Sequence, residues 1–279
     1  LMLLAYNLYK DNVEDILSSA VAIEIYHNYT LLHDDLMDHA DMRRNKLTVH
    51  KLWNENAAIL SGDTMLVLAY KMMSKCSVEY LKRVLDIFSE TALEIGEVQQ
   101  FDMEFENRND VTEKEYIEMI RLKTSVLLAA SLQIGAVLAG APEKDIQKLY
   151  DFGIQIGLAF QLQDDYLDVY GDPKEFGKKI GGDIICNKKT YMLINAFMLA
   201  DKEQRARLEY WMGKEEFDPM EKISEVTYIY NILEVGELCK KEINEHFFRA
   251  SVLLAEVLLT DSRKHVLKEF TDSLMNRKV

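Results

Sequence analysis

Two acidic clusters carry the side chains best suited to chemistry. Residues 33–38 read HDDLMD and residues 160–168 read FQLQDDYLD. Each cluster has carboxylates at positions i, i+1 and i+4, and on a helix positions i and i+4 lie on one face. Each cluster therefore aims at least two carboxylates in one direction.

Both clusters fall where a helix is expected to end. Apolar periodicity lapses after Ala40, and Gly171-Asp172-Pro173 breaks the second helix. Carboxylates near a helix C-terminus oppose the macrodipole, and crowded carboxylates raise one another's pKa unless a cation intervenes. Oxygen-only ligands favour Mg²⁺, which completes its shell with water and substrate phosphates. For a lone cluster of this kind, a solvated acidic helix face is the alternative interpretation.

The composition favours a single all-helical domain over residues 1–279, since only three prolines and twelve glycines occur. A net charge of −14 argues against nucleic acid as the main partner. Three widely spaced cysteines show neither a zinc nor a disulfide pattern, which indicates a reducing cytoplasm. We find no signal peptide and no apolar run long enough to span a bilayer.

Helical spacing positions the candidate residues. A helix capped at Asp11 or Asn12 leads into the first cluster, and a basic bend, Arg43-Arg44, follows it. Further helices are predicted to about Met73, over 78–105 and over 113–139, and Pro142 opens the helix that carries the second cluster. A basic, glycine-rich loop over 176–183 comes next, and amphipathic helices fill the rest; we predict no strand.

These segments together resemble the trans-isoprenyl diphosphate synthases, the farnesyl and geranylgeranyl diphosphate synthase family. The matching pieces are DDLMD followed by RR, then KT, FQLQDDYLD, GKKIGGD and a further Lys, in the family's order over nearly the whole chain. The resemblance implies an all-α bundle of about ten helices around a deep apolar cavity, with both acidic motifs at its mouth. It also implies a homodimer.

The chemistry that the resemblance implies is a head-to-tail condensation with three Mg²⁺ ions. An allylic diphosphate (dimethylallyl, geranyl or farnesyl) ionises, isopentenyl diphosphate attacks the cation, and a proton is lost to the departing diphosphate. Diphosphate leaves only when its charge is neutralised, which metal ions and fixed Lys or Arg groups do most strongly in a water-poor site.

The resemblance assigns roles residue by residue. The metal ligands are Asp34, Asp38 and Asp164, with Asp35, Asp165 and Asp168 as supporting or occasional ligands. The residues assigned to bind the allylic diphosphate are Arg43, Lys123, Lys178 and Lys188. Those assigned to bind isopentenyl diphosphate are His27 and Arg44. Thr124 and Gln161 aim oxygen dipoles at the allylic cation, and Phe160 lies beside the isopentenyl site.

Each assignment has a simpler alternative. Taken alone, His27 is a core histidine, Lys123 and Arg44 are surface charges, and Thr124 bonds its own backbone. The family also has a Gly-Lys…Arg segment upstream of Leu1, so we expect missing upstream residues and weak isopentenyl diphosphate binding without them. Asn45 replaces the usual Gly after the Arg pair.

Product length is predicted from helix geometry. Tyr29 lies five residues before Asp34, on roughly the face of the metal-binding carboxylate. Its ring would stop the growing chain, with the smaller Thr30 beside it, so we expect a product of fifteen or twenty carbons. A core or dimer-interface tyrosine is the alternative. Two other functions compete: a class I terpene cyclase and a non-catalytic regulatory subunit of a synthase, both disfavoured by the two intact motifs.

Overall fold

The computed structural model describes residues 1–106, 108–172 and 180–276. The prediction of an all-α fold is confirmed. The helices are α1 (Met2–Asn7), α2 (Leu17–Met37), α3 (Val49–Leu52), α4 (Glu55–Met73), α5 (Val78–Glu106), α6 (Glu113–Ile120), α7 (Val126–Ala139), α8 (Glu143–Tyr170), α9 (Gly182–Ile185), α10 (Tyr191–Leu199), α11 (Lys202–Gly213), α12 (Pro219–Ile232), α13 (Val235–Ala255) and α14 (Asp261–Met275). A 3₁₀ turn, Glu14–Ile16, precedes α2, and a π turn, Arg121–Ser125, joins α6 to α7.

Local side-chain caps explain several of these boundaries. The Asn54 side chain accepts a hydrogen bond from the Ala57 amide at the start of α4. Thr112 and Glu115 form a reciprocal capping box that begins α6. Asp218 caps α12, where Pro219 occupies the first turn. These caps fix the starts of helices whose apolar faces fill the core.

The chain divides into two compact units, and the first comprises residues 1–90 and 131–146. In this unit α2 packs along α4. The approach is close at Gly62, where an added Cβ would lie 2.0 Å from Nε2 of His33. Phe88 packs edge-on against the rings of Tyr26 and Tyr70, with centroids 5.2 and 4.9 Å away. Glycine at position 62 therefore lets an α2 ring lie against the α4 backbone.

The second unit comprises residues 91–130 and 147–279, as far as they are described. Its core is an apolar cluster that includes Leu162, Met192, Ile229 and Phe247, each almost fully buried. In this unit α10 packs on α6, α12 and α13. At Gly157 an added Cβ would lie 2.4 Å from Cα of Ser125, so this glycine lets α8 approach the π turn.

A short β-ribbon was not predicted from the sequence. Met42–Arg43 pairs antiparallel with Lys46–Leu47, and Arg44 and Asn45 form the tight turn with φ of 50° and 61°. Two residues per strand are too few to produce a recognisable alternation. Asn tolerates the left-handed conformation that Gly would adopt, which explains why Asn45 can stand at this position.

One helical stretch of the described residues contradicts the prediction that no apolar run could span a bilayer. Glu113–Ala139 is long and apolar enough to do so. The most apolar window of this stretch is 67% buried within the structure. That burial is characteristic of a core helix, so length and composition here are weak evidence for a membrane span.

Candidate active site

The first acidic cluster lies at the C-terminal end of α2, as predicted. Asp34 and Asp35 belong to the last turn, and Asp38 follows the helix with its amide donating to the Asp34 carbonyl at 2.9 Å. Asp34 and Asp38 thus lie one turn apart, while Asp35 is buried. The positions match the one-face arrangement that the i, i+4 spacing predicts.

Arg43 holds Asp35. Its Nε and Nη2 atoms donate to Oδ1 of Asp35 at 2.9 and 2.6 Å, and Nη2 lies 3.9 Å from Oδ2 of Asp34. The β-ribbon therefore brings a guanidinium back over the helix end. This contact occupies Asp35 with a cation of the protein itself, which agrees with a supporting role for Asp35.

Four predicted residues lie further back on α2 or on the ribbon turn. His27, Tyr29 and Thr30 are half-buried on α2, and Arg44 is exposed in the turn. Burial lowers the pKa of His27, and the charges of Arg44 and Arg43 lower it further against the opposing effect of Glu24. His27 is therefore neutral near neutral pH, and it lies close enough to Arg43 and Arg44 for their charges to affect its pKa.

Tyr29 lies in a line of rings along α2. Its ring centroid is 5.5 Å from that of Tyr26 and 4.8 Å from that of His33. His33 in turn lies against the α4 backbone at Gly62. The small Thr30 donates its hydroxyl to the His27 carbonyl at 2.8 Å. Tyr29 is thus braced on both sides along its helix.

The second acidic cluster lies in the last three turns of α8 and centres on Asp165. This carboxylate is 5% exposed. Oδ2 accepts a hydrogen bond from the hydroxyl of Tyr116, and Oδ1 accepts one from Nε2 of Gln161 at 3.1 Å. Burial raises the pKa of Asp165, and the negative charge of Asp183 raises it further.

Gln161 connects this carboxylate to the π turn. Oε1 of Gln161 accepts a hydrogen bond from the Thr124 hydroxyl at 2.9 Å. The alternative in which Thr124 bonds its own backbone is thus replaced by a contact between helices. Because the hydroxyl proton is donated to Gln161, the lone pairs of the Thr124 oxygen are left to face other groups. π turns of this kind are frequent at functional sites.

Lys123, also in the π turn, forms an ion pair with a carboxylate that the sequence did not single out. Its Nζ lies 2.5 Å from Oδ2 of Asp102 on α5, and both side chains are largely shielded. Nothing in the spacing around Asp102 distinguishes it from an ordinary polar position on an amphipathic helix. Tyr116 was missed as well, although it lies only seven residues before Lys123.

Asp168 and residues 181–183 form the next part of the site. Oδ2 of Asp168 accepts the amide of Asp183 at 3.0 Å, and its carbonyl accepts the amide of Gly181 at 2.6 Å. Gly181 adopts φ of +82°, which favours glycine. Burial, followed by the charge of Asp183, raises the pKa of Asp168 to about 6. Asp168 thus anchors residues 181–183.

Four predicted site residues remain to be located, and the structure describes three of them. Asp164 and Phe160 are half-buried on α8. Lys188 is exposed, with Nζ 3.6 Å from Oδ1 of Asp183. Lys178 lies outside the described residues. In the described part of the chain, no three His, Cys, Asp or Glu side chains are close enough to hold a metal ion by themselves.

The donor set nevertheless fits Mg²⁺. Each cluster offers carboxylate oxygens one helical turn apart, and hard oxygen ligands suit this ion. In the second cluster, burial and the neighbouring carboxylate of Asp183 raise the pKa of Asp165 and Asp168. A bound cation would offset both effects, because it stabilises the charged form of each carboxylate. Two carboxylates per ion is the usual protein contribution for Mg²⁺, so a set of three from one cluster is not required.

Comparison with known proteins identifies the family of this chain. The profile of the family described as "Polyprenyl synthetase" matches residues 1–233. A short chain isoprenyl diphosphate synthase from Methanocaldococcus jannaschii is 39% identical over 278 residues, which cover 99% of this chain and 83% of that protein. A geranylgeranyl diphosphate synthase from Methanosarcina mazei is 43% identical over 70% of this chain and 61% of that protein.

Solved structures share the fold over the whole chain. A geranylgeranyl pyrophosphate synthase structure superposes with a TM-score of 0.94 at 40% identity, covering 100% of this chain and 86% of that one. The geranylgeranyl pyrophosphate synthetase of Pyrococcus horikoshii Ot3 gives 0.91 at 31% identity, covering 99% and 84%. The chain therefore belongs to the polyprenyl synthetase family of prenyltransferases.

Proposed function

We propose that this protein condenses isopentenyl diphosphate with an allylic diphosphate, in a reaction that requires Mg²⁺, and releases a trans-isoprenyl diphosphate of fifteen or twenty carbons. The observation that carries the proposal is the chain of contacts from Tyr116 through Asp165 and Gln161 to Thr124. These contacts fix the hydroxyl oxygen of Thr124, which is next to Lys123 in the π turn.

In the first step the C–O bond of the allylic diphosphate breaks and the electron pair leaves with the diphosphate. We assign Lys123, Lys188 and Arg43 to the negative oxygens of this leaving group. Asp34 and Asp38 of one motif and Asp164 of the other would hold Mg²⁺, which would neutralise the leaving group further. Fixed charges lower the barrier because they need no reorganisation as the leaving-group charge develops.

The allylic cation must then survive until isopentenyl diphosphate attacks it. The oxygen of Thr124 donates its proton to Gln161, so its lone pairs can face positive charge. Asp165 fixes the Gln161 amide through the opposite end, with Nε2 donating to the carboxylate. A new carbon–carbon bond then forms, and the adjacent proton passes to a diphosphate oxygen, so no side-chain base is needed.

His27 and Arg44 are the residues proposed for isopentenyl diphosphate, with Phe160 beside it. A neutral His27 donates a hydrogen bond to a phosphate oxygen without adding to the repulsion between neighbouring cations. Lys178 is kept as a fourth cation for the allylic diphosphate on the basis of its place in the sequence.

Product length is proposed from Tyr29. The ring is braced by Tyr26 and His33, so it cannot move aside easily for an extra isoprene unit. The relatives differ in product, since a geranylfarnesyl diphosphate synthase from Natronomonas pharaonis is 42% identical over 65% of this chain. A fixed aromatic ring favours the shorter products.

We also propose a homodimer in the cytoplasm. Leu60 and Val67 lie two turns apart on α4 and are 67% and 68% exposed, which is unusual for large apolar side chains. A second copy would cover this stripe. The three cysteines are free thiols, which suits a reducing compartment.

The test is incubation of the purified protein with Mg²⁺, isopentenyl diphosphate and each allylic primer, with product identification by mass spectrometry. Elongated diphosphates are expected. Hydrocarbon products would identify a terpene cyclase instead, and activity only in the presence of a separate synthase would identify a regulatory subunit.

A further inference from the structure

A buried lysine contacts the turn between α9 and α10, which carries Lys188. Lys222, on α12, is 1% exposed. Its Nζ donates to the Ile185 carbonyl at 3.1 Å and to Oδ1 of Asn187 at 2.7 Å. The same ammonium lies 4.2 Å from the centroid of the Phe217 ring. Its two hydrogen-bond acceptors are neutral oxygens.

Burying an ammonium group against neutral oxygens is costly, and a methionine of similar length would pack in this core without that cost. Burial lowers the pKa of Lys222, which reflects the same cost. We therefore look for the role of this lysine in the positions of the two residues that its hydrogen bonds hold, Ile185 and Asn187.

The two acceptors lie at the end of α9 and in the turn that joins it to α10. Ile185 is the last residue of α9, and Asn187 adopts the left-handed conformation with φ of 55°. The amide of the Asn187 side chain donates to the Met212 carbonyl at 3.0 Å. Asn187 is therefore clamped from two sides, by Lys222 through its oxygen and by α11 through its nitrogen.

The clamp lies directly before Lys188. The Lys188 amide donates to the Asp183 carbonyl at 2.9 Å, and the Thr190 amide donates to the Lys188 carbonyl at 2.9 Å. Thr190 in turn caps α10 by accepting from the Leu193 amide. The backbone on both sides of Lys188 is thus fixed, and the exposed ammonium projects from a rigid turn.

We propose that Lys222 is a positioning residue for diphosphate binding: it locks Asn187 and the end of α9, and so sets the direction in which Lys188 projects. This inference rests on the proposed function, in which Lys188 binds the allylic diphosphate. Lys222 itself is buried and does not touch the substrate. Loss of the clamp should weaken binding more than the chemical step.

A second buried lysine provides a matched control. Lys264, on α14, is 8% exposed, and its Nζ donates to the carbonyls of Ala255 and Val257 at 3.2 and 3.4 Å. It also lies 3.6 Å from Asp261. Like Lys222→Met, Lys264→Met removes a buried ammonium that donates to a helix-end carbonyl, but it does so at the end of α13.

The experiment compares Lys222→Met with Lys264→Met and the unchanged protein. We expect KM for the allylic diphosphate to rise about tenfold in Lys222→Met, with kcat changed less than KM. Lys264→Met should keep the original KM even if its stability falls. Hydrogen exchange of the amides of residues 184–190 should become faster in Lys222→Met and not in Lys264→Met.

Asn187→Gly keeps the proposal testable if Lys222→Met folds poorly, because glycine accepts the left-handed backbone. This variant should also raise KM, and the two effects should be less than additive in the double variant, since both substitutions remove the bond between Lys222 and Asn187. An unchanged KM in Lys222→Met and Asn187→Gly, or an equal rise in Lys264→Met, would overturn the inference. If the unchanged protein condenses no substrate, the proposed function is contradicted instead. Hydrogen exchange of the amides of residues 184–190 would then still show whether Lys222 holds this turn in place.

Discussion

The hydroxyl of Tyr116 donates to Oδ2 of Asp165, and both groups are buried. Asp165 therefore has one oxygen held by α6 and the other held by Gln161. A carboxylate satisfied in this way orients its neighbours rather than moving freely to a metal ion. Asp165 thus holds the Gln161 amide, and we propose Asp164 as the residue of this motif on α8 that binds the ion.

Tyr116→Phe should lower kcat by about tenfold to a hundredfold, because the Gln161 amide and the Thr124 oxygen lose their fixed orientation. It should also destabilise the fold by about 1–3 kcal/mol, since one oxygen of a buried carboxylate loses its donor. Steady-state kinetics and urea denaturation measure the two effects. Tyr170→Phe is the control, because it loses the 3.0 Å bond to Asn231 and leaves Asp165 untouched. Equal kcat values for the two variants would refute an orienting role for Tyr116.

Tyr29→Ala should lengthen the product. The substitution removes a ring that Tyr26 and His33 hold in place, and leaves space for at least one further isoprene unit. Mass spectrometry of the products measures the change. Tyr70→Ala, which removes another half-buried ring of the same unit, should leave the product distribution unchanged. The same products from a folded, active Tyr29→Ala protein would place the stop elsewhere.

His246 makes stability depend on pH. It is buried, with Nδ1 2.7 Å from Oε1 of Gln155 and Nε2 3.4 Å from Glu242. Burial, with help from the charge of Arg249 and against that of Glu245, lowers its pKa from 6.5 to about 4. The unfolded state therefore binds the proton more readily, and stability falls as the pH drops from the unfolded value towards the folded one.

The loss should reach about 3 kcal/mol below the folded pKa, because a pKa that differs by one between the folded and unfolded states corresponds to about 1.4 kcal/mol. His246→Asn keeps a donor for Gln155 and cannot titrate. The difference in unfolding free energy between the two proteins should thus vary with pH between about 6.5 and about 4 and be constant above that window. Burial raises the pKa of Glu242 in both proteins, so its opposite trend is largely removed in the difference. A difference that stays constant across the window would contradict this account.

Much of the fold could be predicted from the sequence. The i, i+4 carboxylates, the break at Gly171 and the long apolar periods predicted helices whose ends agree with α2, α4, α5 and α8 within a few residues. The low proline and glycine counts agreed with long helices, which tolerate few of either residue, and the family resemblance implied the all-α class.

The contacts between helices could not be predicted in the same way. Asp102 and Tyr116 were missed because a partner on another helix leaves no periodic signal in its own segment. The π turn was missed because Arg121–Ser125 has an ordinary helical composition. Lys222 was passed over for a similar reason, since nothing in the sequence of α12 distinguishes a buried lysine from an exposed one.

The central claim is that both acidic motifs serve one prenyl transfer reaction. The most direct measurement is incorporation of labelled isopentenyl diphosphate by the unchanged protein, Asp34→Ala and Asp164→Ala, each with Mg²⁺ and each with excess chelator. We predict incorporation by the unchanged protein only with Mg²⁺, and a loss of about a hundredfold or more in either variant while circular dichroism shows an intact helical fold. Near-normal incorporation by either folded variant, or full activity in chelator, would contradict the account.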